Sequence, residues 1–301
     1  MRARISLIRG AFLIPVLLAL NYIRRLYIFQ SALPSLEISF DDFPLSYASA
    51  LNASQTNNEA LTAFDYEIAF PAPLIPRIVH FIHFADLYYR SDGTPSLPAT
   101  SLSHAPELCR TFNPTYEIRI WNSTAAREFL EAEYAWFLPT YDGYPYPIQR
   151  VDALKYFVLY HFGGIYMDLD IACRRALDPL LHFPAWWPQA SPLGVNNDLM
   201  ASVPRHPILM EMTRRLVERN RSLIFPYITI FWSTGPQFTS DSLREWWRHC
   251  KRTRNSNGVV IDPFVCTDAA SFRILPQIFY SEEYTFFGHS PGGPAYGSSV
   301  Y

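Results

Sequence analysis

The segment IQRVDALKYFVLYHFGGIYMDLDI, Ile148 to Ile171, constrains this chain most, because a pair of glycines divides it into two incompatible periodicities. Up to Phe162 the apolar residues Val151, Ala153, Leu154, Phe157, Val158, Leu159 and Phe162 fall nearly all round a helix, so that helix has to be buried. Gly163 and Gly164 close it, since helices commonly leave through a positive-φ residue that glycine adopts without steric cost. Beyond them IYMDLDI alternates with a period of two. That predicts a strand with Ile165, Met167, Leu169 and Ile171 on one face and Tyr166, Asp168 and Asp170 on the other. A buried helix turning straight into a strand, in a chain where strand and helix patterns alternate, implies an α/β sheet.

Polar groups interrupt this apolar frame at few places. Arg150, Asp152 and Lys155 sit near the start of the buried helix, and the last two, three apart, are neighbours on one face. They form either a structural ion pair or two groups aimed at a ligand. Asp168 and Asp170, about 7 Å apart on one side of an apolar strand, are costly unless neutralised, and a hard divalent cation with phosphate oxygens does so. The alternative is a strand end with solvated aspartates. No His or Cys cluster lies beside them, so oxygen ligands point to Mn2+ or Mg2+ rather than Zn2+. Ligands of open α/β sheets lie at strand carboxyl ends, which draws Arg150, Asp152, Lys155, Asp168 and Asp170 around one crevice.

The remaining chain supplies the setting. With 25 Lys+Arg against 27 Asp+Glu, no basic field exists to hold a nucleic acid. At 49% hydrophobic and 17% charged residues, bulk disorder is excluded. IPRIVHFIHF (Ile75 to Phe84) and YEIRIW (Tyr116 to Trp121) read as strands. A helix is expected between Thr124 and Phe137, capped by Asn122 or Ser123. AWWP (Ala185 to Pro188) reads as an aromatic loop whose tryptophans sit in the core or anchor the loop rather than stack on a sugar, and DSLREWWRHCKRTR as a helix with a basic face that includes Arg244 and Arg248. His80 and His83 are expected in the core or a turn.

Arg2, Arg4 and Arg9 precede an apolar run from Gly10 to Ile23 closed by Arg24 and Arg25, a membrane-targeting pattern. The run covers about 21 Å against a hydrocarbon core of about 30 Å, so an uncleaved anchor at residues 1–29 needs snorkelling arginines and the following Leu26 to Phe29. A cleaved signal peptide or a buried or surface helix are the alternatives. Residues 30–74, irregular and punctuated by Pro34, Pro44, Pro71 and Pro73, read as a stem, and 75–301 as the catalytic domain. Sequons at Asn52, Asn122 and Asn220 agree with a luminal body. Cys109, Cys173, Cys250 and Cys266 have no zinc spacing and allow either thiols or disulfides in any pairing.

RVDALKYFVLYHFGGIYMDLD resembles the DxD core of glycosyltransferase family 32, a group with the GT-A fold, a Rossmann-like nucleotide-sugar-binding sheet flanked by helices. IPRIVHFIHF and YEIRIWN resemble its first two strands. NNDLMAS (Asn196 to Ser202), WSTGPQF (Trp232 to Phe238) and FFGHSPGG (Phe286 to Gly293) are similar to its fungal mannosyl-inositol-phosphorylceramide synthase branch. The resemblance implies a retaining, metal-dependent transfer of mannose from GDP-mannose to inositol-phosphorylceramide or a related glycan. It places the catalytic domain on the luminal side of the Golgi; with the arginine excess at the N-terminus this gives a single-pass type II protein of the Golgi membrane, with a possible regulatory subunit. Asp168 and Asp170 would hold Mn2+ and the diphosphate. Asp152 would bind sugar hydroxyls, Lys155 the sugar or phosphates, with Arg150 beside them, Tyr166 would line the nucleotide pocket, and Asn197 and Asp198 would lie on the acceptor side. One departure stands out: relatives end the glycine-rich segment in a Ser-Trp-His run that helps hold the metal, whereas this chain has Pro294, Ala295 and Tyr296, leaving His289 as a substitute ligand. That departure motivates an alternative, a catalytically silent partner of an active transferase.

Overall fold

A computed structural model of the chain describes residues 2–54, 61, 63–85, 103–253, 267–280 and 286–289. Its helices of eight or more residues are α1 (Arg2–Gln30), α2 (Leu45–Ser54), α3 (Ala105–Phe112), α4 (Ser123–Glu133), α5 (Pro147–Phe162), α6 (Pro207–Arg219), α7 (Pro226–Ser233) and α8 (Pro236–Thr253). The strands are β1 (Ile78–Ile82), β2 (Glu117–Trp121), β3 (Gly164–Met167), β4 (Ile171–Cys173), β5 (Ala185–Pro188), β6 (Leu199–Ser202), β7 (Arg273–Leu275) and β8 (Phe287–His289). Six of them form one mixed sheet in the order β2-β1-β3-β6-β5-β7. β1 runs parallel to β2 and β3, and β6 antiparallel to β3 and β5. β4 and β8 make a separate antiparallel ribbon.

Both faces of the large sheet are covered, and the alternation of each strand shows how. Ile165, Met167, Leu199, Ala201, Val79, Phe81 and Trp186 enter one apolar core, while Tyr166, Met200, Ile82 and Trp187 enter the other with α4, α5, α6 and α8. AWWP is strand β5 rather than a loop, and both tryptophans are fully buried as expected of core residues. The segment expected to be a stem is also part of the fold: Ile38, Phe43, Tyr47 and Phe70 fill the first core, and Ile38 donates its N–H to the Ile274 carbonyl. Leaving those four side chains in water would cost about 25 cal/mol per Å2 of apolar surface. The C-terminal half of α1 packs on α8, with Phe29 buried and Tyr22 hydrogen-bonded to Asp241. No helix among the described residues is long and apolar enough to cross a membrane.

The turn between α5 and β3 rests on its two glycines. Gly163 and Gly164 have φ of +65° and +95°, and a Cβ on Gly164 would come within 2.6 Å of the Ile78 carbonyl oxygen. Gly164→Ala is expected to cost about 3 kcal/mol of stability through backbone strain and collision, measurable by urea unfolding. His80 fastens the same turn. The Trp121 indole, a donor only, binds Nδ1 at 3.2 Å, so Nε2 carries the hydrogen and donates to the Gly163 carbonyl at 2.9 Å.

Burial pushes His80 down to about 4, and the same cause lowers His206, whose ring reaches the Ser271 carbonyl, to about 4. Both stay neutral in the fold while the unfolded chain takes up their protons below about 6.5, so their contribution is complete above that pH and lost toward pH 4. Each should withdraw about 3 kcal/mol over that window. His80→Gln, which keeps an N–H for Gly163, should flatten the fall in urea midpoint between pH 6.5 and 4.5; an unchanged slope would acquit His80.

Cys109 of α3 is disulfide-bonded to Cys173 of β4, which ties the chain just beyond Asp170 to the flank of the sheet. Cys250 is disulfide-bonded as well, while Cys266 lies outside the described residues.

Candidate active site

The expected strand through IYMDLDI is broken at its functional point. β3 stops at Met167, where its pairing with β6 ends, and the chain turns so that the Ile171 N–H reaches the Asp168 carbonyl at 3.0 Å. The Asp168 N–H meanwhile binds the Asp198 carbonyl at 2.8 Å. Asp168 and Asp170 therefore flank a turn at the carboxyl end of a central strand, the position at which open α/β sheets bind ligands. The apolar half of the alternation survives the break, because Leu169 and Ile171 still enter the core with Ile165 and Met167.

Lys155 stands at the centre of the cluster. Its ammonium lies 3.0 Å from Asp152 Oδ1 and 3.1 Å from Asp168 Oδ1, 4.9 Å above the Tyr166 ring, with the Asn197 carbonyl at 3.4 Å. Both members of the 152–155 pair are buried, whereas the Asp168 side chain is 26% exposed and opens the cluster to solvent. Burial works against the Lys155 charge, but Asp168, Tyr166 and Asp152 overcome it and hold the ammonium well above the ordinary lysine range. Asp152 is pushed up by burial against the pull of Lys155.

Asp152 is also the hub of a buried hydrogen-bond network. Asn197 Nδ2 donates to Oδ1 at 3.1 Å and to the Tyr156 hydroxyl at 3.3 Å, and the Thr234 hydroxyl donates to Oδ2 at 3.1 Å. Tyr156 in turn donates to the Thr234 carbonyl at 2.7 Å. Each charge-assisted contact of this kind contributes more than a neutral one, and a fully satisfied network fixes one rotamer.

Several sequence expectations change here. Asn197, read as an acceptor-side loop residue, is 4% exposed and holds Asp152, because the turn before β6 tucks under α5. Tyr166, read as lining the nucleotide pocket, is 1% exposed: β3 is flanked on both sides, so the ring supports Lys155 and its hydroxyl donates to Asp168. Arg150 turns away, giving Nε to the Tyr141 carbonyl and its terminal nitrogens to the carbonyls of Asp142 and Tyr144, where it ties down the loop before α5. His289 stands opposite Ile171 in the ribbon, one residue beyond Asp170, and its side chain lies outside the described residues. Pro294, Ala295 and Tyr296 lie outside them too. Thr234 and Tyr156 were not foreseen; the only trace of Thr234 was a polar pair inside WSTGPQF.

The donor set fits a hard cation left open on one side. Among the described residues no three His, Cys, Asp or Glu side chains close on a common point. What is present is Asp168 and Asp170 with Asp198 behind them, whose Oδ1 is buried and makes no hydrogen bond. Burial, then Asp168, raise the Asp198 carboxyl to about 7 against the pull of Lys155. Asp152, Asp168 and Asp170 against one lysine leave formal negative charge at the mouth. Such partial oxygen shells are completed by phosphate and water in Mg2+ and Mn2+ sites.

Residues 100–187 match the glycosyltransferase sugar-binding region containing the DXD motif, a span that holds Asp152, Lys155, Asp168 and Asp170. The chain thus carries a glycosyltransferase sugar-binding region of the DXD type. Its relatives include a mannosyl phosphorylinositol ceramide synthase of Saccharomyces cerevisiae, 40% identical over 225 residues that cover 74% of this chain and 52% of that protein. Inositol phosphoceramide mannosyltransferase 3 of Schizosaccharomyces pombe is 45% identical over 172 residues, covering 57% and 46%. This chain thus spans about half the length of these two relatives. Among solved structures the PaToxG glycosyltransferase aligns with a TM-score of 0.44 at 16% identity, over 66% of this chain and 78% of that one.

Proposed function

We propose that the chain transfers mannose from GDP-mannose to inositol-phosphorylceramide or a related glycan, with retention at the anomeric carbon, in a Golgi lumen. The observation that carries this reading is the Asp168–Lys155–Asp152 cluster at the end of β3, inside the matched sugar-binding region. The similarity to inositol phosphoceramide mannosyltransferases supports the donor and acceptor. Disulfide-bonded Cys109, Cys173 and Cys250 and exposed sequons at Asn52, Asn122 and Asn220 support an oxidising lumen.

Asp168 and Asp170 would hold Mn2+ or Mg2+ together with the diphosphate. A bound cation supplies neutralisation of the charge that grows on the departing nucleotide. Lys155 orients Asp168 and keeps two carboxylates from repelling each other. Asp152, braced by Asn197 and Thr234, presents a fixed acceptor for sugar hydroxyls at the closed end of the cluster. A braced group loses little freedom when substrate binds, so its contribution is realised in the transition state.

GDP-mannose turnover with inositol-phosphorylceramide should vanish in EDTA and return with Mn2+. Turnover that survives chelation would reject the metal assignment, and no turnover with any acceptor would favour a silent regulatory partner.

A further inference from the structure

Asp152, Lys155 and Asp168 share a support. Asn197 donates from Nδ2 to Asp152 at 3.1 Å and takes the Lys155 ammonium on its carbonyl at 3.4 Å. The next carbonyl, of Asp198, accepts the Asp168 N–H at 2.8 Å. These two residues end the loop that joins β5 to β6. Where that loop stands therefore decides how the cluster is arranged.

The loop leaves β5 through a bridge between Gln189 and Val195, with the Asn196 N–H on the Pro188 carbonyl and the Ala190 N–H on the Gly194 carbonyl. Its tip, Ser191 to Leu193, is exposed. Two side chains from distant parts of the chain fasten the arm that returns from the tip to the site. Ser240 of α8, a buried residue, closes on Val195 from both sides: its hydroxyl accepts the Val195 N–H at 3.0 Å and donates to the Val195 carbonyl at 3.0 Å. Gln30, the last residue of α1, accepts the Gly194 N–H on Oε1 at 2.7 Å. The fit is close. Gly194 has φ of +81°, and a Cβ there would come within 2.6 Å of Ser240 Oγ.

We propose that Gln30 and Ser240 are positioning residues of the site. By fixing Gly194 and Val195 they set Asn197, and through it Asp152, although neither touches a reacting group. A misplacement of a fraction of an ångström in a preorganised contact is enough to weaken binding. α1 is then part of the machinery that holds the donor sugar, rather than only a cover for α8. The effect on sugar affinity rests on the proposed role of Asp152; the latch itself does not.

The test is calorimetric titration of the full chain with GDP-mannose and with GDP in Mn2+, for wild type, Gln30→Leu and Gln30→Glu. Gln30→Leu should weaken GDP-mannose about tenfold and leave GDP unchanged, the loss of about one hydrogen bond carried to the sugar contact. Its melting temperature should hold within a few degrees, because Gln30 is only partly buried. Gln30→Glu keeps an acceptor for the Gly194 N–H and should bind as wild type does. Ser240→Ala should act in the same direction with a lower melting temperature, since it strips both Val195 groups of their partner. In an Asn197→Ala background Gln30→Leu should add nothing; additive losses, or an equal loss for GDP, overturn the positioning role.

Hydrogen exchange reads the latch without a ligand. The Asp168 amide should exchange about tenfold faster in Gln30→Leu, and unchanged exchange overturns the latch whatever the titrations give. Faster exchange in a protein that binds GDP-mannose no better than GDP would keep the latch and remove the sugar contact assigned to Asp152.

Discussion

Asp168→Asn is expected to lower kcat/KM for mannosyl transfer by about a thousandfold, at the upper end of what loss of one preorganised electrostatic group costs. The substitution keeps the shape of the side chain. The amide oxygen still accepts from Lys155 and from the Tyr166 hydroxyl, and the side chain is partly exposed, so the melting temperature should hold within a few degrees. What disappears is the negative charge facing the open side of the cluster. Asp170→Asn should act in the same direction, from the other side of the turn. Steady-state kinetics and thermal melts on the same preparations separate chemistry from folding, and near-normal turnover in either variant would refute the proposed site.

Lys155→Met is expected to destabilise the protein by about 3 to 5 kcal/mol, the cost of leaving buried charge uncompensated. The Lys155 side chain is 4% exposed and its ammonium contacts two carboxylates, so its removal leaves Asp152 in the core with no cation and Asp168 facing it. Lys155→Met/Asp152→Asn should recover a good part of that loss, because the amide keeps the Thr234 hydrogen bond without carrying charge. Urea unfolding of the two single variants and the double measures the coupling. If the double variant is as unstable as the sum of the singles, the pair is not the organising contact of the cluster. Neither variant should retain turnover, since both disturb the group that braces Asp168 and the acceptor that awaits the sugar.

Much of the frame was legible because it rests on local rules. The switch of period at Gly163–Gly164 marked the end of α5 and the start of β3, and the glycines are needed where positive φ and a close carbonyl coincide. The 122–125 cap was readable in the same way: the Asn122 side chain accepts the Ala125 N–H at 2.8 Å. Asp152 and Lys155, three apart on a helix whose surroundings are apolar, were neighbours by geometry alone.

Other assignments failed where a distant partner decided the outcome. Arg244, placed on a solvated basic face by helical periodicity, is 3% exposed and pairs with Asp241 at 2.9 Å, because α1 returns to cover that face of α8. Residues 30–74 read as a stem because their prolines and irregular pattern conceal that Ile38, Phe43, Tyr47 and Phe70 enter a core against the sheet.

The sequence by itself determined the α/β class, the helix–turn–strand that delivers Asp168 to a strand end, and the adjacency of Asp152 to Lys155, because periodicity and glycine conformation act over a few residues. Tertiary structure alone decided that Asn197 and Thr234, 45 and 82 positions from Asp152, would brace it. It also decided that Tyr166 would be buried and Arg150 turned aside, and that Phe29, Ile38, Phe43, Tyr47 and Phe70 would enter the cores of the domain. Those outcomes depend on which surfaces must be removed from water and which buried polar atoms must find partners, conditions that exist only once the sheet has closed on both faces.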